Sequence, residues 1–275
     1  MPSTQPSKPK RDQFVIANVA DIARAEVVMS FAQRIAKALD KGLIALHIVD
    51  PALDGPSAEE AEQAMSRASL PYMVLKGATR QVVTDLPTLL GAVIVVTAVD
   101  PKAPRRSPLN PATMLVGFAE CKVAYLVVQQ PLGVENTLRH VSLSVDHRRE
   151  SKEKLLWASY MARFNHSEVE VCYRDYRDEG LRQRWRNNMV FLKKMFTSLG
   201  IGFSMCELSG RGARIDLDVV AQARPDMIIS LATDPRERDV ADLIVGTQER
   251  QLVVNPQGVP VLLLNPRDDL YVLCD

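Results

Sequence analysis

The stretch LIALHIV, residues 43–49, is apolar at six of its seven positions and runs straight into Asp50-Pro51. An apolar run of that length, without polar alternation, reads as a strand buried on both faces, the signature of a parallel sheet. Just upstream, Val28, Phe31, Ala32, Ile35 and Leu39 recur at three- and four-residue steps, which predicts a helix. Gly42 stands where a glycine commonly closes one. Before that helix, residues 14–19 read as another strand. Strand, helix and strand in this order make a βαβ unit, whose two strands are parallel.

Reading outward, the alternation continues with a helix in 57–69, a strand in 72–75, a helix in 78–90, a strand in 92–98, a helix around 109–120 and a strand in 123–128. The same programme then restarts, with strands at 141–145, 169–173, 203–206, 227–231 and 261–264. The helices between them fall at 151–163, 181–199, 214–224 and 239–253. VIANV (15–19) aligns with VSLSV (141–145) at an offset of 126, and AVIVV (92–96) with DMIIS (226–230) at 134. A drift of eight residues predicts one longer helix in the second copy. The chain is therefore a duplication.

Composition agrees with two packed units. The 275 residues are about twice a common domain length. A hydrophobic fraction of 47% with 34 basic and 33 acidic side chains excludes a disordered chain, and the balance gives no support to a nucleic-acid coat. Residues 1–11, MPSTQPSKPKR, read as a disordered basic tail, 12–133 as the first domain, 138–267 as the second, and 268–275 as an extension in which 271–274 could form a further strand. Apolar runs such as 92–96 and 261–264 are far shorter than the ~20 residues that cross a bilayer. No apolar region follows Met1, so a cytoplasmic address is expected. Cys121, Cys172, Cys206 and Cys274 form no metal-binding spacing and read as buried thiols, and no metal site is expected. In LRQRWRNN (181–188) the spacing of Leu181, Trp185 and Met189 makes Trp185 a core anchor and leaves the arginines in solvent.

Several fragments, in order and twice over, resemble the universal stress protein family. ALHIVDP (45–51) is similar to the family's second strand, and SVDHRRES (144–151) to its first strand and following loop. RPDMIISL (224–231) resembles the fourth strand and GVPVLLL (258–264) the fifth. The resemblance implies an α/β fold of two tandem doubly wound five-stranded parallel sheets, each in the order 3-2-1-4-5. It further implies that the two fifth strands pair, giving a pseudo-dimer within one chain. Such pairing would cover what is otherwise an open apolar edge.

Many members of that family bind ATP at the carboxyl ends of the strands, using an Asp after strand one and a G-x-x-G-(nine residues)-G-[S/T] phosphate loop. Here Asp146 matches that Asp, and Gly246-Thr247 matches the closing G-[S/T]. The leading glycines are missing, because 231–235 reads Leu-Ala-Thr-Asp-Pro. Asp234 would repel a phosphate and Pro235 lacks an N–H donor, although Arg148, Arg149, Arg236 and Arg238 could offset the charge. In the first copy the Asp position holds Ala20, with Asp21 one residue late, and 101–111 is PKAPRRSPLNP, rich in proline and without glycine. Backbone N–H groups cannot close around phosphates in such a loop.

The chain also lacks G-x-x-x-x-G-K-[ST], G-x-S-x-G and G-x-G-x-x-G, which argues against P-loop, α/β-hydrolase and dinucleotide chemistry. The expected function is that of a non-enzymatic universal stress protein that acts by ligand binding and protein interaction. Its ATP site is degenerate, absent in domain 1 and weak or absent in domain 2. The candidate pocket comprises Asp146, Arg148, Gly246 and Thr247, and no catalytic residue is assigned. No cofactor is required, and ATP or AMP in domain 2 is the occupancy left open. The expected partners are a small-molecule ligand, a protein, and a second tandem chain, with neither nucleic acid nor membrane. The alternatives are a slow nucleotide hydrolase or ATP-dependent regulator using the domain 2 pocket, and a sensor of another ligand or docking module.

Overall fold

The computed structural model describes residues 13–67, 70–133, 137–209, 215–232 and 247–265. The basic tail 1–11, the extension 268–275, Gly246, Asp234, Arg236, Arg238 and Cys274 lie outside these residues. The first half runs β1 (Phe14–Asn18), α1 (Ala25–Leu39), β2 (Gly42–Val49), α2 (Ala58–Met65), β3 (Tyr72–Lys76), α3 (Thr79–Leu89), β4 (Ala92–Ala98), α4 (Pro111–Phe118) and β5 (Ala124–Val128). The second runs β6 (His140–Ser144), α5 (Ser151–Phe164), β7 (Glu168–Tyr173), α6 (Glu179–Ser198), β8 (Phe203–Glu207), α7 (Ile215–Ala223), β9 (Met227–Leu231), α8 (Gln248–Leu252) and β10 (Val261–Leu264).

The ten strands form one sheet in the order β3-β2-β1-β4-β5-β10-β9-β6-β7-β8. Each half thus has the order 3-2-1-4-5, and the halves join through their fifth strands. That junction is antiparallel, with Val261 opposite Val127, Leu262 opposite Leu126 and Leu263 opposite Tyr125, whereas every other pairing is parallel. Leu126 and Leu262 lie in one apolar layer, and Tyr125, Val127 and Leu263 in the other. Both layers run across both halves, so burying the junction completes two cores at once.

Local chemistry sets several helix starts. Ser57 and Glu60 form a reciprocal capping box at the start of α2, and Asn110 caps α4 with Pro111 in the first helical position. The longer helix of the second copy is α6, with 20 residues against 8 in α2. Two expectations need correction. The helix expected over 57–69 stops at Met65. Gly42 does not close α1, because Asp40 takes the left-handed turn at φ 53° and Gly42 opens β2. Gly42 answers to packing, since a Cβ there would sit 2.6 Å from the Phe14 ring. Of the helix expected over 239–253, the described part is α8.

Candidate functional site

In a doubly wound sheet the carboxyl ends of the strands form the crevice where ligands bind. In the first half that crevice is nearly filled. Asn18, Ala20, Ile48, Leu53, Thr79, Thr97 and Pro108 are among the residues that line a cavity of about 20 Å³, which is room for about one water molecule. Asn18 Nδ2 donates to Thr97 Oγ1 at 3.0 Å. Asp21 caps the short 3-10 turn Ile22–Arg24 by accepting from the Ala23 N–H.

The loop 99–110 folds onto itself as a plug. Asp100 N donates to Leu109 O at 2.9 Å, and the Thr113 hydroxyl donates to Arg105 O at 2.7 Å. Asp54 fastens it across the crevice, donating its N–H to Arg106 O at 2.8 Å and accepting from Arg106 Nε at 3.1 Å. Asp100 pairs with Arg24 at 2.6 Å, so a carboxylate stands in the loop that follows β4. A larger hollow of about 420 Å³ lies beside this crevice, along Ile22, Gly55, Pro56 and α2, on the loops that follow β1 and β2. It is open to solvent, and its Glu60 is already spent on the capping box.

In the second half, Asp146 follows β6 and is 6% exposed. Its carboxylate is fully engaged by this chain. Arg148 donates from Nε at 2.8 Å and from its backbone N–H at 3.0 Å, while Nη2 lies 2.7 Å from Oδ2. The Ser151 hydroxyl donates to Oδ1. Burial by itself would raise the Asp146 carboxyl. The Lys154 charge, then Arg148 and the Ser151 hydrogen bond outweigh it and hold the group well below the usual range. Asn188 in α6 donates to the carbonyls of Asp146 and Arg148, both at 2.8 Å, and so pins the loop.

A buried polar chain lies beneath. Lys154, with no exposed surface, donates to Ser144 Oγ at 3.0 Å. The Ser144 and Ser230 hydroxyls donate to the two oxygens of the fully buried Asp216, which also accepts from Gln248 Nε2 at 3.2 Å. The sequence reading missed these residues. The available signal was a lysine among Ser151, Leu155 and Ala158, on the face of α5 that packs inward. Thr247 stands at the N-terminal boundary of α8, a five-residue helix. The structure therefore brings Asp146 and Arg148 into direct contact and ties α8 to Asp216 through Gln248. Trp185 packs on the core and stacks on Tyr173 with ring centroids 5.3 Å apart, while Arg184 and Arg186 are exposed. Cys121 and Cys172 are buried, but Cys206 is only half-buried. No group of side chains suited to a metal ion occurs among the described residues. No helix among them is long and apolar enough to cross a membrane.

No protein-family model and no curated protein matches the chain. Solved structures do. A universal stress protein from Archaeoglobus fulgidus DSM 4304 superimposes with a TM-score of 0.67 at 11% identity, over 93% of this chain and 99% of that one. A functionally unknown protein from Pseudomonas aeruginosa PAO1 gives 0.60 at 12% identity, over 94% and 93%. A protein from Pseudomonas aeruginosa UCBPP-PA14, provisionally assigned to the universal stress class, gives 0.59 at 11%, over 95% of each chain. The chain thus has the tandem universal stress protein fold along nearly its whole length.

Proposed function

We propose that the chain is a non-enzymatic, stress-responsive member of the universal stress class that works by binding and conformation, with both crevices closed to ATP. The observation that carries this reading is internal occupation. Pro108 and the 99–110 loop leave about 20 Å³ in the first crevice, far below the ~300 Å³ of a ligand pocket. In the second, Arg148 and Ser151 take up the carboxylate that would otherwise meet a nucleoside. A ligand entering there would have to displace a charge-assisted pair, which is costly in a buried setting. Titration with a fluorescent ATP analogue tests this. The wild-type chain is expected to show no saturable binding below millimolar concentration. Micromolar binding that disappears in Asp146→Ala would refute the reading.

A docking role is favoured by one asymmetry. On α5, Leu156, Tyr160 and Phe164 are 46%, 36% and 45% exposed at successive four-residue steps. The equivalent positions of α1, by the offset of 126, hold Ser30, Arg34 and Ala38. Lys152 lies 5.2 Å from the Phe191 ring centre and Arg163 lies 5.3 Å from that of Phe164. An apolar strip flanked by cations fits a protein partner with an apolar centre and an acidic rim. Tyr160→Glu should abolish capture of such a partner while leaving the fold intact, and unchanged capture would rule the strip out.

A further inference from the structure

The two halves differ sharply on one face of the sheet. In the first half Phe14, Ile16, Ile44 and Leu46 occupy that face, and Leu46 pairs in register with Met73 of β3. The corresponding residues in the second half are His140, Ser142, Glu170 and Cys172, and Cys172 pairs in register with Cys206 of β8. Two thiols therefore stand where the first half packs a leucine against a methionine. Glu170 lies between the polar groups. Its Oε2 accepts from Ser142 Oγ at 3.2 Å, is 3.9 Å from Cys172 Sγ, and is 3.5 Å from His140 Nε2.

We infer that Cys172 and Cys206 form a reversible disulfide when the protein meets hydrogen peroxide. Paired residues on adjacent strands have Cα atoms about 4.8 Å apart, within the span a disulfide bridges. Their side chains share one side of the sheet. Closing the bond requires the Cβ atoms to approach to about 3.8 Å. Among the described residues β8 is an edge strand with no partner on its far side, so it can move inward by the roughly 1 Å needed. The residual strain favours easy reduction, as suits a reversible link.

The division of labour follows from burial. Cys206 is half-buried on the edge strand, between the exposed Met205 and Glu207, and peroxide can reach it. Its sulfur attacks peroxide: an S–O bond forms, the O–O bond breaks, the thiol proton joins the departing hydroxide, and one water leaves. The resulting sulfenic acid sits beside Cys172. The Cys172 proton passes to Glu170, the Cys172 sulfur attacks that of Cys206, and the S–O bond breaks. The expelled hydroxide takes up the proton as a second water. Overall, two thiols and one peroxide give one disulfide and two waters. Burial, and after it the Glu170 charge, push the Cys172 thiol far above its usual range and keep it inert toward passing solutes, and its in-register place beside Cys206 gives it the one sulfur it can reach.

Exposing the full chain to hydrogen peroxide, blocking free thiols and measuring intact mass gives the test. The chain should lose two hydrogen atoms, and unreduced tryptic digestion should yield 164–174 joined to 195–211; dithiothreitol should separate them. Glu170→Gln should slow closure roughly tenfold or more and allow the sulfenic acid to be trapped. A link through Cys121 or Cys274, over-oxidation of Cys206 without any link, or an unchanged mass would each overturn the inference. The wild-type measurement decides it without reliance on a variant's folding.

Discussion

Arg148 folds back onto Asp146, its Nη2 2.7 Å from Oδ2, and so converts the one family-like acid of the second crevice into part of its own loop. Removing either partner leaves the other charge buried or half-buried. Asp146→Asn is expected to destabilise the protein by about 3–5 kcal/mol, because Lys154 and Arg148 lose their counter-charge. Urea unfolding measures the change. A cost under 1 kcal/mol would mean that the pair is solvated.

The same carboxylate gives the protein an acid limit. Asp146 titrates well below its usual range when folded, so the unfolded chain binds the proton more readily. Its stabilisation is therefore complete above the unfolded carboxylate value of about 3.9 and is lost as pH falls through and below it. Asp50 adds to the effect. Burial would raise it, but the Thr79 and Ala52 backbone N–H groups hold it down. Thermal unfolding midpoints should fall steeply below pH 4, and the fall should be shallower in Asp146→Asn.

The two halves should unfold together, because their cores are continuous across β5 and β10. Leu262→Ala, at a site 1% exposed, should cost about 2–5 kcal/mol and keep a single transition. Two resolved transitions in calorimetry would show that the junction is weaker than its packing implies.

Gly258 is held at φ 65°, and a Cβ there would lie 2.1 Å from Gln130 Nε2 in the segment joining the halves. Gly258→Ala should therefore destabilise by about 1–2 kcal/mol through backbone strain, because the exposed Gln130 side chain can swing aside. Adding Gln130→Ala should recover little of the loss, which a double-mutant cycle in urea resolves.

Most strands of the first half were legible as runs of apolar residues between turn residues, and burial on both faces leaves nothing else for LIALHIV to be. By contrast, β6 and β7 alternate apolar with polar residues and were legible by their place in the repeat. The duplication was legible from the offset alone. What sequence did not show was contact. Lys154 sits within the apolar stripe of α5, and nothing local reveals that its ammonium reaches Ser144 beneath Asp146. Arg148 read as a phosphate ligand because an arginine after a strand is open to either use; only the folded loop shows it bound to its neighbour. The missing glycines of 101–111 were plain, but the packing of Pro108 into the crevice needed the loop's conformation. Gly42 was misjudged because a glycine after a helix serves caps and close packing alike, and here the Phe14 ring decides.

Native mass spectrometry of the freshly purified full-length chain tests the central claim most directly. Closed crevices predict the mass of the bare 30.5 kDa polypeptide, unchanged on incubation with Mg²⁺-ATP. A peak carrying one or two adenine nucleotides would contradict the account.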